Sequence, residues 1–230
     1  MKHWRCEQGS SDWHRIRLGK CTASEFHRIM TRTKGPSKAE TVRDYQIDLL
    51  TELILDQPLS GASTASMRHG NAYEGTARAA YEMLHGEVEL CGFITDDDCT
   101  HGASPDAFVG EEGSLEIKSP INPAVHVAYM MKNEELAEKY FIQVQGQLFV
   151  SGRKWTDLMS YAGGILPTVT VRVYPDEKFQ EQLKIGVRSF CASFSDLVQR
   201  AVGLGYLKET PPTTDWIQAG DVDWVKKGRA

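Results

Sequence analysis

Asp106, nine intervening residues and then Glu116-Ile117-Lys118 are the residues of this 230-residue chain whose types and spacing suit a chemical step. Side chains of a strand alternate between faces, so Glu116 and Lys118 project together while Leu115 and Ile117 turn the other way, into a core. The stretches Asp106 to Val109 and Leu115 to Lys118 flank Gly110-Glu111-Glu112-Gly113, a turn-rich gap that predicts a hairpin. Folded so, Asp106 returns beside Glu116, and two carboxylates and an ammonium converge on one edge of a sheet. Oxygen ligands of this kind suit Mg²⁺ or Mn²⁺ rather than zinc. A divalent ion there makes water nucleophilic and neutralises charge on a phosphodiester during in-line attack. Lys118 would orient or deprotonate that water, or stabilise the charged transition state. A bare Asp…Glu-x-Lys also occurs on ordinary surface hairpins. Here Ser104-Pro105 precedes the aspartate, apolar residues alternate with Glu116 and Lys118, and Pro120 closes the strand.

Two further segments offer groups to such a site. Glu74, in Gly70-Asn71-Ala72-Tyr73-Glu74, falls on a predicted helix and could complete a metal site, although a solvated helical Glu is the commoner state. Downstream, Gln143 and Gln147 stand four residues apart and share a helix face, whereas Gln145 faces away. One of these amides could hold the attacking water or a phosphate oxygen.

The elements that must position these groups read as follows. Ser10-Ser11-Asp12 caps a short helix carrying Trp13, Ile16 and Arg17, and Thr22 with Glu25 fits a capping box at a second start. Helices are predicted from Thr41 to Leu55, from Ser63 to about Leu84 with a kink at Gly70, from Glu134 to Ser151, and from Asp176 to Val202. The last carries Phe179, Leu183, Val187, Phe190, Phe194, Leu197 and Ala201 at steps of three or four, a core stripe. Besides the hairpin, strands are predicted at Val88 to Thr95, Trp155 to Tyr161 and Thr168 to Tyr174. The order gives an α/β (α+β) fold with a central mixed β-sheet flanked by helices.

Composition bounds the alternatives. Hydrophobic residues make up 41% and charged residues 25%, an ordinary globular balance that excludes disordered, collagen-like and coiled-coil chains. The net charge of −5 argues against a protein coated in positive charge, yet residues 1–45 carry ten Lys and Arg against five Asp and Glu. A basic front on an acidic body suggests a polyanion-facing surface, and a solvated helical surface is the plainer alternative. Five scattered cysteines without a C-x-x-C pair argue against a zinc ribbon or a cysteine-ligated iron–sulfur cluster. With a polar N-terminal stretch and no run of eighteen apolar residues, a reduced, cytoplasmic protein with no membrane partner is the expectation.

Six blocks in order carry a resemblance: Trp13-His14-x-x-Arg17-Leu18-Gly19, Thr22-Ala23-Ser24-Glu25, Gly70-x-x-Tyr73-Glu74, Ser104-Pro105-Asp106, Leu115-Glu116-Ile117-Lys118 and Gln143-Val144-Gln145. They resemble the PD-(D/E)XK nuclease superfamily, with its restriction-endonuclease-like fold, and within it the YqaJ-type viral recombinase exonucleases typified by that of phage lambda. The resemblance implies a Mg²⁺-dependent 5′→3′ exodeoxyribonuclease that degrades one strand of linear duplex DNA to mononucleotides. A 3′ single-stranded overhang would remain for recombination by strand annealing. It implies two Mg²⁺ ions, with Mn²⁺ as a substitute, held by Asp106, Glu116, the Ile117 carbonyl and Glu74. Lys118 would activate the water and Gln143 would assist. Arg17, Ser24 and Ser104 would receive the 5′-phosphate, and Trp13 would stack where the duplex end unpairs. A homotrimeric ring, a phage single-strand annealing protein and a bacterial host cytoplasm are further implications. Ala107-Phe108 follows the aspartate where the family often has Gly-Leu, and His69 replaces an expected aromatic and is read as a packing or hydrogen-bonding residue, with an approach to the metals as the alternative. Residues 1–205 read as a single nuclease domain and 206–230 as a C-terminal tail. The rivals are a PD-(D/E)XK endonuclease of restriction or repair type and a non-catalytic DNA-end-binding protein.

Overall fold

The computed structural model describes residues 1–30, 36–59 and 65–208, without the side chains of 36–38, 65–67 and 71. Its elements, in chain order, are β1 (Lys2–Trp4), α1 (Ser11–Arg17), β2 (Cys21–Thr22), a 3₁₀ turn (Ala23–Glu25), α2 (Phe26–Ile29), α3 (Pro36–Leu55) and α4 (Ala65–His85). There follow β3 (Glu89–Leu90), β4 (Phe93–Thr95), β5 (His101–Ala103), β6 (Ala107–Val109), β7 (Gly113–Lys118), α5 (Pro123–Met131), α6 (Glu134–Ser151), β8 (Trp155–Ser160), β9 (Val169–Val173) and α7 (Glu177–Gly203). Most of the expected tail, from residue 209 onward, and the start of the helix expected at Ser63 lie outside the described residues.

The strands form a five-stranded sheet in the order β3-β6-β7-β8-β9 and a four-stranded sheet in the order β1-β4-β5-β2. The larger sheet is mixed, because β7 runs antiparallel to β6 and parallel to β8. The parallel step needs a crossover, and α5 and α6 supply it. Alternation along β7 and β8 then sorts their side chains between two layers. Leu115 and Met159 pack with Ala77 and Tyr81 of α4, whereas Leu158 packs with Val144 and Leu148 of α6 and Tyr129 of α5. Against the smaller sheet, the stripe of α7 from Phe179 to Phe194 meets Tyr45, Leu49 and Leu53 of α3.

The central mixed sheet flanked by helices agrees with the sequence reading, and several elements refine it. The strand expected over Val88 to Thr95 is two strands belonging to different sheets, β3 against β6 and β4 against β1 and β5. They part at Gly92, where an added Cβ would lie 2.3 Å from the Trp4 carbonyl oxygen. Only glycine lets the N-terminal segment cross that close. Thr22 and Glu25 do not form a capping box. Thr22 adopts the N-cap position of the 3₁₀ turn without a side-chain cap bond, and its hydroxyl meets that of Ser24 at 3.2 Å instead. Helix α3 begins at Pro36, earlier than expected, as suits a proline at the first helical position. Helix α4 runs unbroken through Gly70. Helix α5 was not anticipated, although Asn122-Pro123 is a start signal and the Asn122 side chain accepts from Ala124 N at 3.0 Å. Strands β1, β2 and β5, of two or three residues each, are too short to show a period of two.

Candidate active site

The hairpin does what the sequence requires of it. Ala107 pairs with Leu115, and Asp106 N donates to Leu115 O at 3.0 Å. At the end of the ladder the Asp106 carboxylate replaces a backbone acceptor, taking the Ile117 N–H at 2.6 Å. This fixes Asp106 against the strand carrying Glu116 and Lys118. Glu116 is only 4% exposed. Its Oε1 accepts from Lys118 Nζ at 2.7 Å and from Gln143 Nε2 at 2.6 Å, and its Oε2 accepts from Gln147 Nε2 at 2.6 Å. Lys118 also donates to Gln143 Oε1 at 3.0 Å and lies 4.6 Å from the centre of the Tyr140 ring. Both glutamines therefore face β7 from α6, as their four-residue spacing predicts. Gln145 turns away, bonding Tyr174 O, Asp176 N and Gln180.

The electrostatics are those of crowded acids. Burial, then the charges of Glu116 and Glu74, push the Asp106 carboxyl well above the usual carboxylate range. Glu74, on α4, is also pushed up by burial, against the pull of Arg78, whose guanidinium lies 3.7 Å away. Burial works against the charge of Lys118, but the Glu116 charge and hydrogen bond and the Asp106 charge outweigh it and raise its pKa. Among the described residues no three His, Cys, Asp or Glu side chains already close on a common point. The carboxylates nevertheless suit a cation. The charges of Glu116 and Glu74 act against that of Asp106, and Gln147 Oε1 is buried without a partner. A hard divalent ion would relieve the repulsion and bring water to such an acceptor.

Next to this cluster lies a cavity of about 160 Å³ lined by Gln8, Trp13, Arg17, Thr22, Ser24, Ser104, Gln143 and Gln147, among others. It brings together the four residues singled out for the phosphate end. Trp13 Nε1 donates to Ser104 Oγ at 2.8 Å, which in turn donates to the Gly92 carbonyl at 2.7 Å. The Arg17 guanidinium stacks on the Trp13 ring at 3.9 Å, and burial lowers its pKa to about 10 without discharging it at neutral pH. Ser24 is exposed at the rim. Ile117 sits between Glu116 and Lys118 and lines a separate cleft of about 480 Å³ with Lys139 and Tyr140. His69 packs on Tyr73 with ring centres 4.7 Å apart.

Two contacts carry no local mark in the sequence. The four-residue spacing puts Gln147 on the face of Gln143 but does not tie it to Glu116. Gln8 lines the cavity and donates to Cys91 O at 2.7 Å and Pro105 O at 2.8 Å, pinning the N-terminal segment to the residue before Asp106. No local signal marks Gln8, because its partners lie more than eighty residues away.

The model of the YqaJ-like viral recombinase domain matches residues 12–154, more than half of the chain. The chain belongs to that family. No curated protein sequence matches it. Among solved structures, the alkaline exonuclease LHK-Exo of Laribacter hongkongensis is 28% identical over 85% of this chain and 98% of its own, with a TM-score of 0.73. The same figures hold for LHK-Exo in complex with dAMP. A phage-related exonuclease of Haemophilus somnus 129PT is 14% identical over 79% of this chain and 96% of its own, at a TM-score of 0.64, a likeness of fold. Membership in the YqaJ-like family, together with the LHK-Exo likeness, supports a nuclease function. Among the described residues, no helix of this family member is long and apolar enough to cross a membrane.

Proposed function

We propose that the chain is a Mg²⁺-dependent exodeoxyribonuclease that removes mononucleotides from the 5′ end of one strand of linear duplex DNA. The observation that carries this reading is the contiguity of two sites. Gln143 and Gln147 hold the Glu116 carboxylate and also line the cavity containing Arg17, Ser24 and Ser104. A phosphate held in that cavity would lie beside the carboxylates, the arrangement an enzyme needs to cut from an end. The related LHK-Exo has been solved with dAMP, a deoxynucleoside monophosphate of the kind such cleavage releases.

Asp106, Glu116, the Ile117 carbonyl and Glu74 would hold two Mg²⁺ ions, with Mn²⁺ as a substitute. When bound, the ions would supply a more acidic water and neutralise phosphate charge. The residues of the chain do the rest. Arg17 would grip the terminal 5′-phosphate as a charge-assisted fork, with the Ser24 and Ser104 hydroxyls beside it. The Trp13 ring would offer a face to the end base. Gln143 and Gln147 keep the Glu116 carboxylate in one orientation. Lys118, held as an ammonium by Glu116, would orient the attacking water and stabilise charge building on the phosphoryl oxygens. Water adds to phosphorus, the bond to the 3′ oxygen breaks, and that oxygen leaves with the mononucleotide. The shortened strand keeps a new 5′-phosphate, which fits the same cavity for the next cycle. The basic residues of the N-terminal segment would add salt-sensitive contacts to the DNA backbone.

A homotrimeric ring, a phage single-strand annealing partner, a cytoplasmic setting and a single nuclease domain over residues 1–205 belong to the same proposal and rest on the family. The test is a gel assay of linear duplex labelled at either end, with Mg²⁺. Loss of the 5′ label as mononucleotide, a persistent 3′ label and inert closed circles are expected. Equal cutting of closed circular duplex would support the endonuclease reading instead. Arg17→Ala should raise KM on 5′-phosphorylated ends and narrow the preference over 5′-hydroxyl ends, leaving kcat less affected.

A further inference from the structure

Cys21 and Cys191 are 170 residues apart in the chain, yet their sulfurs lie 3.8 Å apart. Both are free thiols. Cys21 is 1% exposed, whereas Cys191 is half-buried on α7, so Cys191 is the member of the pair nearer solvent. A disulfide spans about 2.05 Å between sulfurs, which requires an approach of under about 2 Å. The proton distribution favours the outer sulfur as nucleophile. Hydrogen bonds from the Cys21 thiol and from His101 and Thr100 lower the pKa of Cys191 against its burial, while burial raises that of Cys21. Elsewhere, burial pushes Cys6 up to about 11 and Cys91 well above the thiol range.

The position of the pair matters. Cys21 pairs with His101 and Thr22 with Gly102, so β2 and β5 run parallel side by side. Three residues beyond each of Cys21 and His101 stand Ser24 and Ser104, both lining the cavity next to Glu116. The two sulfurs thus join α7 to the strand pair that leads into both hydroxyls, Ser24 in the 3₁₀ turn after β2 and Ser104 just past β5.

We propose that Cys21 and Cys191 form a reversible dithiol–disulfide site, closed by a peroxide and reopened by a thiol reductant, that locks α7 onto the strand pair leading into Ser24 and Ser104. The Cys191 thiolate attacks one peroxide oxygen, the O–O bond breaks, and the departing oxygen takes a proton and leaves as water. Cys21 sulfur then attacks the resulting sulfenic sulfur. The S–S bond forms, the S–O bond breaks, and hydroxide leaves with the Cys21 proton as a second water. Two sulfurs lose two electrons in all, and the peroxide gains them.

The test uses the full chain, reduced, freed of reductant and treated with hydrogen peroxide. Remaining thiols are then alkylated and the peptides mapped by mass. The expected result is the loss of two hydrogens and one linked peptide pair containing Cys21 and Cys191. A rise in Tm of about 5 °C or more, reversed by dithiothreitol, should accompany it, because the bond closes a long loop. Cys191→Ser should keep the Tm of the reduced protein and show neither change, whereas Cys99→Ser should show both. Oxidation of Cys191 to a sulfinic acid with Cys21 still alkylatable would overturn the proposal. So would a cross-link or Tm rise that persists in Cys191→Ser. None of these readings depends on nuclease activity, so they stand or fall apart from the proposed function.

Discussion

Asp157 and Glu116 lie on neighbouring strands one step apart in register, since Leu115 pairs with Asp157 and Glu116 with Leu158. Both are almost fully buried, on opposite faces of the sheet. Their surroundings differ in kind. On the α4 face, Arg172 donates to both oxygens of Asp157 at 2.8 Å, and Tyr81 OH donates at 2.6 Å. Burial alone would raise the Asp157 pKa, yet these hydrogen bonds and the Arg172 charge bring it below the ordinary value. On the α6 face, Glu116 has one cation, Lys118, but shares its surroundings with Asp106, whose carboxyl is forced upward by burial and by Glu116 itself. One acid is satisfied by the fold; the other belongs to a cluster whose charges the fold leaves in conflict. That difference separates an acid that holds a structure together from one kept ready for a ligand.

The largest expected effect tests whether the crowded face is the reactive one. Lys118→Ala should lower Mg²⁺-dependent nuclease activity by about 10²–10⁴-fold with the fold intact, since it removes a group poised at the reacting centre. Activity at the wild-type level would undo the comparison. On the satisfied face, Asp157→Ala should leave a guanidinium and a phenol without their acceptor and cost about 3 kcal/mol of stability, the low end for a broken buried pair because Arg172 is partly solvated. The Asp157 contribution is present above the unfolded-state pKa near 3.9 and is lost as pH falls through the lowered folded value, so wild type and Asp157→Asn should converge in Tm in strong acid. Thermal melts across pH would check this.

A smaller effect is expected at the amide that bridges cavity and carboxylates. Gln147→Leu keeps the approximate volume but frees Glu116 Oε2, and should reduce activity or apparent Mg²⁺ affinity by about 10–100-fold. Titration of activity against Mg²⁺ would read it. Smallest is a gain. Asp106→Asn removes one of the conflicting charges and should stabilise the metal-free protein by about 1 kcal/mol while abolishing activity. Mg²⁺ should then raise the Tm of wild type but not that of the variant. A destabilised Asp106→Asn protein in EDTA would show that Asp106 serves the fold as Asp157 does.

The chemistry was legible because it is written in local periods. Alternation along β7 put Glu116 and Lys118 together, the three-residue turn from Gly110 to Glu112 returned Asp106, and a helical step of four put Gln143 and Gln147 on one face. The long helices were legible for the same reason, their apolar stripes being many turns deep. Short strands were not, because two or three residues show no period, and a glycine that carries the chain from one sheet to another looks like any other glycine. Gln8 and the Cys21–Cys191 pair were invisible because their partners are remote in sequence.

The sequence alone determined which groups can do chemistry, their order along the chain and the family they resemble. Covalent geometry gives strands and helices fixed repeats, so neighbours within an element follow from spacing. Only the tertiary structure decided which acids are reconciled and which remain opposed. That depends on which face of β7 and β8 meets Arg172 and Tyr81 and which meets two glutamines and a second carboxylate. Charge interactions and desolvation act through space at a few ångströms, and no spacing along the chain encodes those distances.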